Sequence, residues 1–223
     1  MHASPGLWSL FSAKTNVNVA ALSTTPRLYA WRYERRPMKA TVISDKEHKT
    51  ELYQKLSELT FAFLNGKGVQ ANMIDVSSDD LAYCSGCFDC WVKSPGECVI
   101  RDSMPKISRS FMDSDVIVYL SPVIFGHYSS NIKNIIDRLL QNELPFFVTR
   151  SDGSTGNAVR YDEHPKQIVL GYGDQLSEED VQLFKDITMK HRKSFEVMVY
   201  QGTDRDIAEA LGRIKLGKAG GEL

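Results

Sequence analysis

The sequence predicts an α/β domain built on a parallel sheet that is covered on both faces. Three observations carry this. Five short apolar runs rich in Val and Ile recur along the chain, segments with helical spacing separate them, and the punctuation between is the Gly, Ser and Asp of caps and turns. Strands that are apolar throughout, rather than alternating, are buried on both faces and need helical crossovers between them.

The elements follow in order. "KATVIS" (39–44) is a β-branched run suited to a buried strand. "KTELYQKLSELTFAFLNGKG" places Leu52, Leu56, Leu59 and Phe63 at helical spacing and stops at Gly66 and Gly68. "VQANMIDV" (69–76) is a second strand, and a cysteine-rich stretch comes after it. "MPKISRSFMDSD" (104–115) reads as a helix, "VIVYLSP" (116–122) as the third strand and "NIKNIIDRLLQN" (131–142) as an amphipathic helix. A polar passage near 149–166 reads as irregular, and "KQIVLGYG" (166–173) is the fourth strand. "SEEDVQLFKDITMKHRKS" (177–194) opens with Ser177 three residues before Asp180 and an acidic first turn, the chemistry of a capped helix start. "FEVMVYQG" (195–202) gives the fifth strand and "DRDIAEALGRIKLGKAG" (204–220) a last helix.

Composition narrows the function. At 223 residues, 42% hydrophobic and 25% charged, the chain has the make-up of a globular protein with a real core. A net charge of −1 gives no basic field for a nucleic-acid backbone, and no run approaches the ~18 apolar residues of a membrane span. From Met1 to Tyr33 there is no Asp or Glu. Residues 1–37 are therefore expected to be a disordered or over-called leader, with the folded domain at 38–223 starting at Met38. The expected location is cytoplasmic. Neither a Ser–His–Asp arrangement nor an H-E-x-x-H helix marks a hydrolase.

All four cysteines lie in "CSGCFDCWVKSPGEC", as Cys84, Cys87, Cys90 and Cys98. Disulfides within so short a stretch would close small rings of little stabilising value, and no secretory signal accompanies them. Structural zinc usually takes paired ligands from separate knuckles. Three cysteines at successive i, i+3 steps suit a cuboidal iron–sulfur cluster better. With no further cysteine, Cys98 has to close the same cluster, and the loop with Pro95 and Gly96 permits that return. Free thiols packed as small hydrophobes are the other reading of these residues.

"CSGCFDCWVKSPGECVIRDSM", followed by "DSDVIVYLSPVIFGHYSSNIKNIIDRL", resembles the flavodoxin-like, NAD(P)H-dependent FMN reductases, and among them the iron–sulfur flavoproteins. The resemblance covers about residues 38–200. It implies a three-layer sandwich with a five-stranded parallel sheet in the order 2-1-3-4-5. It also implies FMN as cofactor, NAD(P)H as a possible electron donor, and a 4Fe–4S cluster on Cys84, Cys87, Cys90 and Cys98. Homodimers or homotetramers are implied as well, with a small-molecule or protein redox partner.

Ligands of such sheets lie beyond the carboxyl ends of the strands, where the cysteine stretch and "SPVIFGHYSSN" both begin. Pro122, Val123, Ile124, Phe125, Gly126, Tyr128 and Ser129 are the residues the resemblance assigns to the flavin ring, and Lys133, Asp137 and Arg138 match the helix beyond. His127 is near the expected ring position and also suits a solvated loop. The phosphate is expected after the first strand. The family loop there reads roughly "GS-x-R-x-x-G-N-T", whereas this chain has the shorter, glycine-free "SDKEHKT". Ser44, Lys46, His48 and Thr50 are its candidates, with Asp45 and Glu47 working against a dianion. Two alternatives stand beside this reading. One is a cluster-free NAD(P)H:flavin or quinone reductase; the other is a non-enzymatic thiol or zinc sensor that has lost FMN.

Overall fold

The computed structural model describes residues 36–151, 153–191, 195–217 and 219–220. The expected leader, apart from Arg36 and Pro37, lies outside the described residues. In chain order the elements are β1 Lys39–Asp45, α1 Glu51–Gly66, β2 Gln70–Val76, α2 Asp89–Val92, α3 Met104–Asp113, β3 Val116–Pro122, α4 Ser130–Arg138, β4 Glu143–Thr149, β5 Thr155–Val159, β6 Glu163–His164, β7 Lys166–Tyr172, α5 Glu178–His191, β8 Glu196–Tyr200, α6 Asp204–Gly212 and β9 Ala219–Gly220.

Five strands form one parallel sheet in the order β2-β1-β3-β7-β8, the expected arrangement. Central β3 is buried along its whole length. Val116, Val118 and Leu120 enter one core with Leu56 and Leu64 of α1 and Leu211 of α6. Ile117 and Tyr119 point to the other face, where Ile107 of α3, Ile132 and Ile135 of α4 and Phe184 of α5 close over them. This is the period-2 geometry of a strand buried on both sides, and it makes three layers.

The chain moves from β1 out to β2 and then returns across β1 to β3. The reversal leaves a crevice between the carboxyl ends of β1 and β3, the usual ligand position in open α/β sheets. Three sequence expectations change here. The helix read as 131–142 ends at Arg138, and Leu139–Asn142 tightens into a 3-10 turn. Its carbonyls are taken from outside, since the Trp91 indole N–H donates to Leu140 O and Glu143 O, and Arg160 Nε donates to Gln141 O. The passage read as irregular contains β5, which pairs antiparallel with β4 just before it. The last helix stops at Gly212. Among the described residues no helix is long and apolar enough to cross a membrane.

Leu56 is fully buried against the sheet. Leu56→Ala should cost about 2–5 kcal/mol of stability, measured as a lower urea midpoint with an unchanged denaturant slope.

Candidate functional site

The loop after β1 turns inward on itself. Asp45 ends the strand with a fully buried carboxylate. Its Oδ1 accepts from Asn131 Nδ2 at 3.1 Å and from the Glu47 amide at 2.9 Å, and its Oδ2 stands 3.1 Å from His48 Nδ1. Burial alone would raise the carboxyl's pKa. The donors around it, with Ser129 and His48 beside the group and Asn131 and the Glu47 amide bonded to it, outweigh burial and hold it below the usual carboxylate range.

The neighbouring polar groups are engaged as well. The buried Ser44 hydroxyl meets Asp75 Oδ1, Lys49 Nζ at 2.8 Å and Tyr53 Oη at 3.3 Å, and Lys49 also pairs with Asp75. The Thr50 hydroxyl caps α1 by accepting from the Tyr53 amide at 3.2 Å. Glu47 accepts from the amide and hydroxyl of Ser78. Lys46 is exposed, with its amide donating to Val76 O at 2.8 Å. The Tyr172 hydroxyl donates to His48 O at 2.7 Å. The four residues expected at a flavin phosphate thus lie along one loop, but three of them face partners within the protein. Among the described residues the amides of His48, Lys49, Glu51 and Leu52 have no protein acceptor, so the start of α1 keeps donors open to an anion.

The loop after β3 forms the opposite wall of the crevice. Ile124 and His127 exchange two backbone hydrogen bonds of 2.9 Å around a turn whose tip, Phe125, is 95% exposed. Phe125 and Gly126 both have positive φ, at 49° and 68°. A Cβ at Gly126 would lie 2.6 Å from Leu183 of α5, so space as well as backbone angle requires glycine there. Among the described residues the N–H groups of Phe125 and Gly126 have no protein acceptor. An aromatic face and two unengaged donors at a sheet crevice fit the edge of a flavin ring. Pro122 and Val123 continue β3 into this wall, with the Val123 amide donating to Tyr172 O at 2.8 Å. Ser129 caps α4 by accepting from the Ile132 amide. Tyr128 is buried against Phe184, His127 and His191, and burial pushes its hydroxyl up to about 12. His191 is part of this aromatic group. Its pKa is lowered by burial and by the charges of Lys133 and His127.

The cysteine loop leaves the rim and runs down beside α4. The carbonyls of Leu81 and Ala82 accept from Asn134 Nδ2, and Ala82 O accepts from Arg138 Nη1 at 2.9 Å. Beyond that point Cys84, Cys87, Cys90 and Cys98 line one small cavity together with Arg138 and Leu140. The Cys98 amide donates to Gln141 Oε1 at 2.8 Å, and Arg138 Nη2 lies 3.4 Å from Cys98 Sγ. Phe88 adopts φ 57° and stacks on Trp91, whose indole pins the short α2 to the turn at 139–143. Burial first, and then the charges of Cys98, Cys84 and Cys87, push the Cys90 thiol up. Among the described residues no three His, Cys, Asp or Glu side chains stand close enough to hold a single metal ion. The Arg138 guanidinium supplies positive charge beside the Cys98 sulfur.

In the sequence Arg138 was only a match to the family helix. In the structure it is buried, forked onto Asp102 through both Nη atoms and held beside the cysteines. Burial would raise the pKa of Asp102, but the hydrogen bonds of Arg138 and of the Met104 and Ala82 amides hold it below the usual carboxylate range. A depressed folded pKa means that the stabilisation is fully present above the unfolded value of about 3.9 and fades as pH falls through the folded one. Asp102→Asn should therefore cost about 3 kcal/mol at neutral pH, with the gap to wild type closing in denaturant melts as the buffer is acidified.

The comparisons with known proteins agree with this geometry. A family model described as NADPH-dependent FMN reductase matches residues 38–168. An iron-sulfur flavoprotein of Archaeoglobus fulgidus is 33% identical over 103 residues, 46% of this chain and 46% of its own length. Another, from Methanocaldococcus jannaschii, is 33% identical over 72 residues, 32% of this chain and 36% of that protein. The chain thus spans about half or less of the length of these curated relatives. Among solved structures, an NAD(P)H:quinone oxidoreductase from Methanothermobacter marburgensis superposes with a TM-score of 0.57 at 11% identity, covering 79% of this chain and 95% of that one. An azoreductase from Bacillus anthracis gives 0.54 at 14% identity, covering 78% and 92%. At such identities the structural likeness is one of fold. The family match, which takes in more than half of the chain, places it in the NADPH-dependent FMN reductase family.

Proposed function

We propose that the chain is a flavin-dependent oxidoreductase that moves electrons between NAD(P)H or a protein donor, FMN and a 4Fe–4S cluster. The observation that carries the finer part of this reading is the single cavity lined by Cys84, Cys87, Cys90 and Cys98. When bound, a flavin exchanges one or two electrons and a 4Fe–4S centre one, which suits the pair to splitting a hydride into single-electron steps.

The protein's own residues provide position and environment. Arg138 fixes the Cys98 side of the cavity and brings a cation to it. Gly86, Phe88 and Gly96 supply the three left-handed residues that fold the cysteine loop back on itself. The turn at 124–127 offers the Phe125 ring and the N–H groups of Phe125 and Gly126 to a flavin edge, and Ser129 sets the start of α4 beneath it. We also read the chain as a homodimer or homotetramer. Its support is the resemblance, together with Phe146 and Phe147 of β4, which stand 65% and 77% exposed.

The test is an absorption spectrum of protein purified without oxygen, with iron and acid-labile sulfide counted on the same sample. The expected result is flavin bands above a broad cluster absorption, with about four irons per chain. Flavin without iron would select the cluster-free reductase, and a colourless protein the thiol or zinc sensor. Cys87→Ser should remove the iron and sulfide while far-ultraviolet circular dichroism stays unchanged, because Cys87 is exposed and supports no core contact. Full iron and sulfide in that variant would overturn the ligand assignment.

A further inference from the structure

We propose that Arg138 is a potential-setting residue: with Gln141 it holds a cation and N–H donors at the Cys98 corner of the cluster and makes that cluster easier to reduce. The proposal rests on the iron–sulfur reading above and deepens it.

The four cysteines are not held alike. Cys84 and Cys87 are exposed, whereas Cys90 and Cys98 are half-buried. The firmest contacts fall on Cys98, whose amide donates to Gln141 Oε1 at 2.8 Å and whose Sγ lies 3.4 Å from Arg138 Nη2. Asp102 forks onto both Nη atoms and so aims the guanidinium, and it is the nitrogen that meets the sulfur.

Both residues that reach Cys98 also keep a donor in hand. Arg138 and Gln141 are buried, and Arg138 Nε and Gln141 Nε2 have no hydrogen-bond partner among the described residues. A buried N–H left unpaired is costly. Two of them on side chains that grip one cysteine, one of which itself lines the cavity, point to an acceptor that protein atoms do not supply. The sulfur of an iron–sulfur centre is an acceptor of that kind.

The sign of the effect follows from charge. A centre held by thiolates is an anion, and one added electron makes it more negative. A cation and N–H donors at its sulfurs stabilise the reduced form more than the oxidised one, which raises the reduction potential. Salt screens such a contact only weakly where the cation is buried.

The experiment is an anaerobic potentiometric titration of the full-length protein with dithionite and mediators, after iron and acid-labile sulfide are counted. Electron paramagnetic resonance follows the cluster and absorbance the flavin. One electron passes from the reductant to the cluster, and no bond to the chain forms or breaks. Arg138→Gln combined with Asp102→Asn replaces the ion pair by two amides and strands no buried charge. It should disfavour reduction of the cluster about tenfold, a potential lower by about 59 mV for one electron. Gln141→Glu keeps an acceptor for the Cys98 amide, removes the Nε2 donor and adds a negative charge, and should act in the same direction by about threefold or more. It provides the reading if the double variant fails to fold. The flavin's own equilibrium should move by less than about twofold in either variant, because its wall stands at the other end of α4. The proposal is overturned if both variants keep the wild-type cluster potential. It is overturned equally if both lose their iron and sulfide, since the two residues would then hold the cluster rather than tune it. Either result keeps the iron–sulfur reading. Wild-type protein without iron and sulfide would sink both.

Discussion

One buried guanidinium organises the part of this molecule that carries its chemistry. Arg138 stands at the end of α4 with almost no exposure and contacts the Ala82 carbonyl, both carboxylate oxygens of Asp102 and the sulfur of Cys98. A charge so far from water is tolerated only where it is paired and hydrogen-bonded. The burial cost is what makes the arrangement selective. The stretch from Ala82 to Asp102 contains only one short helix, and its ends are drawn together because both supply acceptors to the same side chain. The cysteine cavity is the space left inside that closed stretch. Trp91 and Arg160 complete the frame by capping the carbonyls at 140–143.

Much of this was legible in the sequence where local chemistry and burial agree. The fully apolar run at 116–122 is a strand with those bounds. Ser177 and Asp180 make the reciprocal cap that their spacing suggests. Four cysteines in one short loop do line one cavity. The failures have physical reasons too. The hairpin at 143–159 exposes Phe146 and Phe147 and packs only partly, so its strands lack the alternation that marks a half-buried sheet. The helix after β3 looks longer in sequence than it is, because the carbonyls that would end it are satisfied by side chains distant in the chain. Neither Trp91 nor Arg160 announces that role.

The candidate site divides along the same line. Gly126 was readable as part of the loop after β3, and Leu183 shows what packs against it. Asp45 was readable only as an unwelcome charge beside a phosphate. That it is wholly buried, with Asn131 and His48 turned toward it, depends on contacts across 86 positions of sequence that no local pattern encodes. The expectation that the cysteine loop and the loop after β3 share one rim also needed the fold to correct it. Both loops begin there, but the cysteines lie beside the far end of α4.

That helix has a consequence of its own. Its first residues belong to the crevice wall and its last one to the cysteine cavity, so nine residues set both the spacing and the angular phase between the two sites, about 12 Å apart along the axis. One residue added within α4 would lengthen it by only about 1.5 Å but would swing Arg138 through roughly 100° relative to Ser129. The guanidinium would then point away from Asp102 while the capped end stayed in place. Residue types along this helix can vary wherever packing allows, but its residue count cannot drift by one.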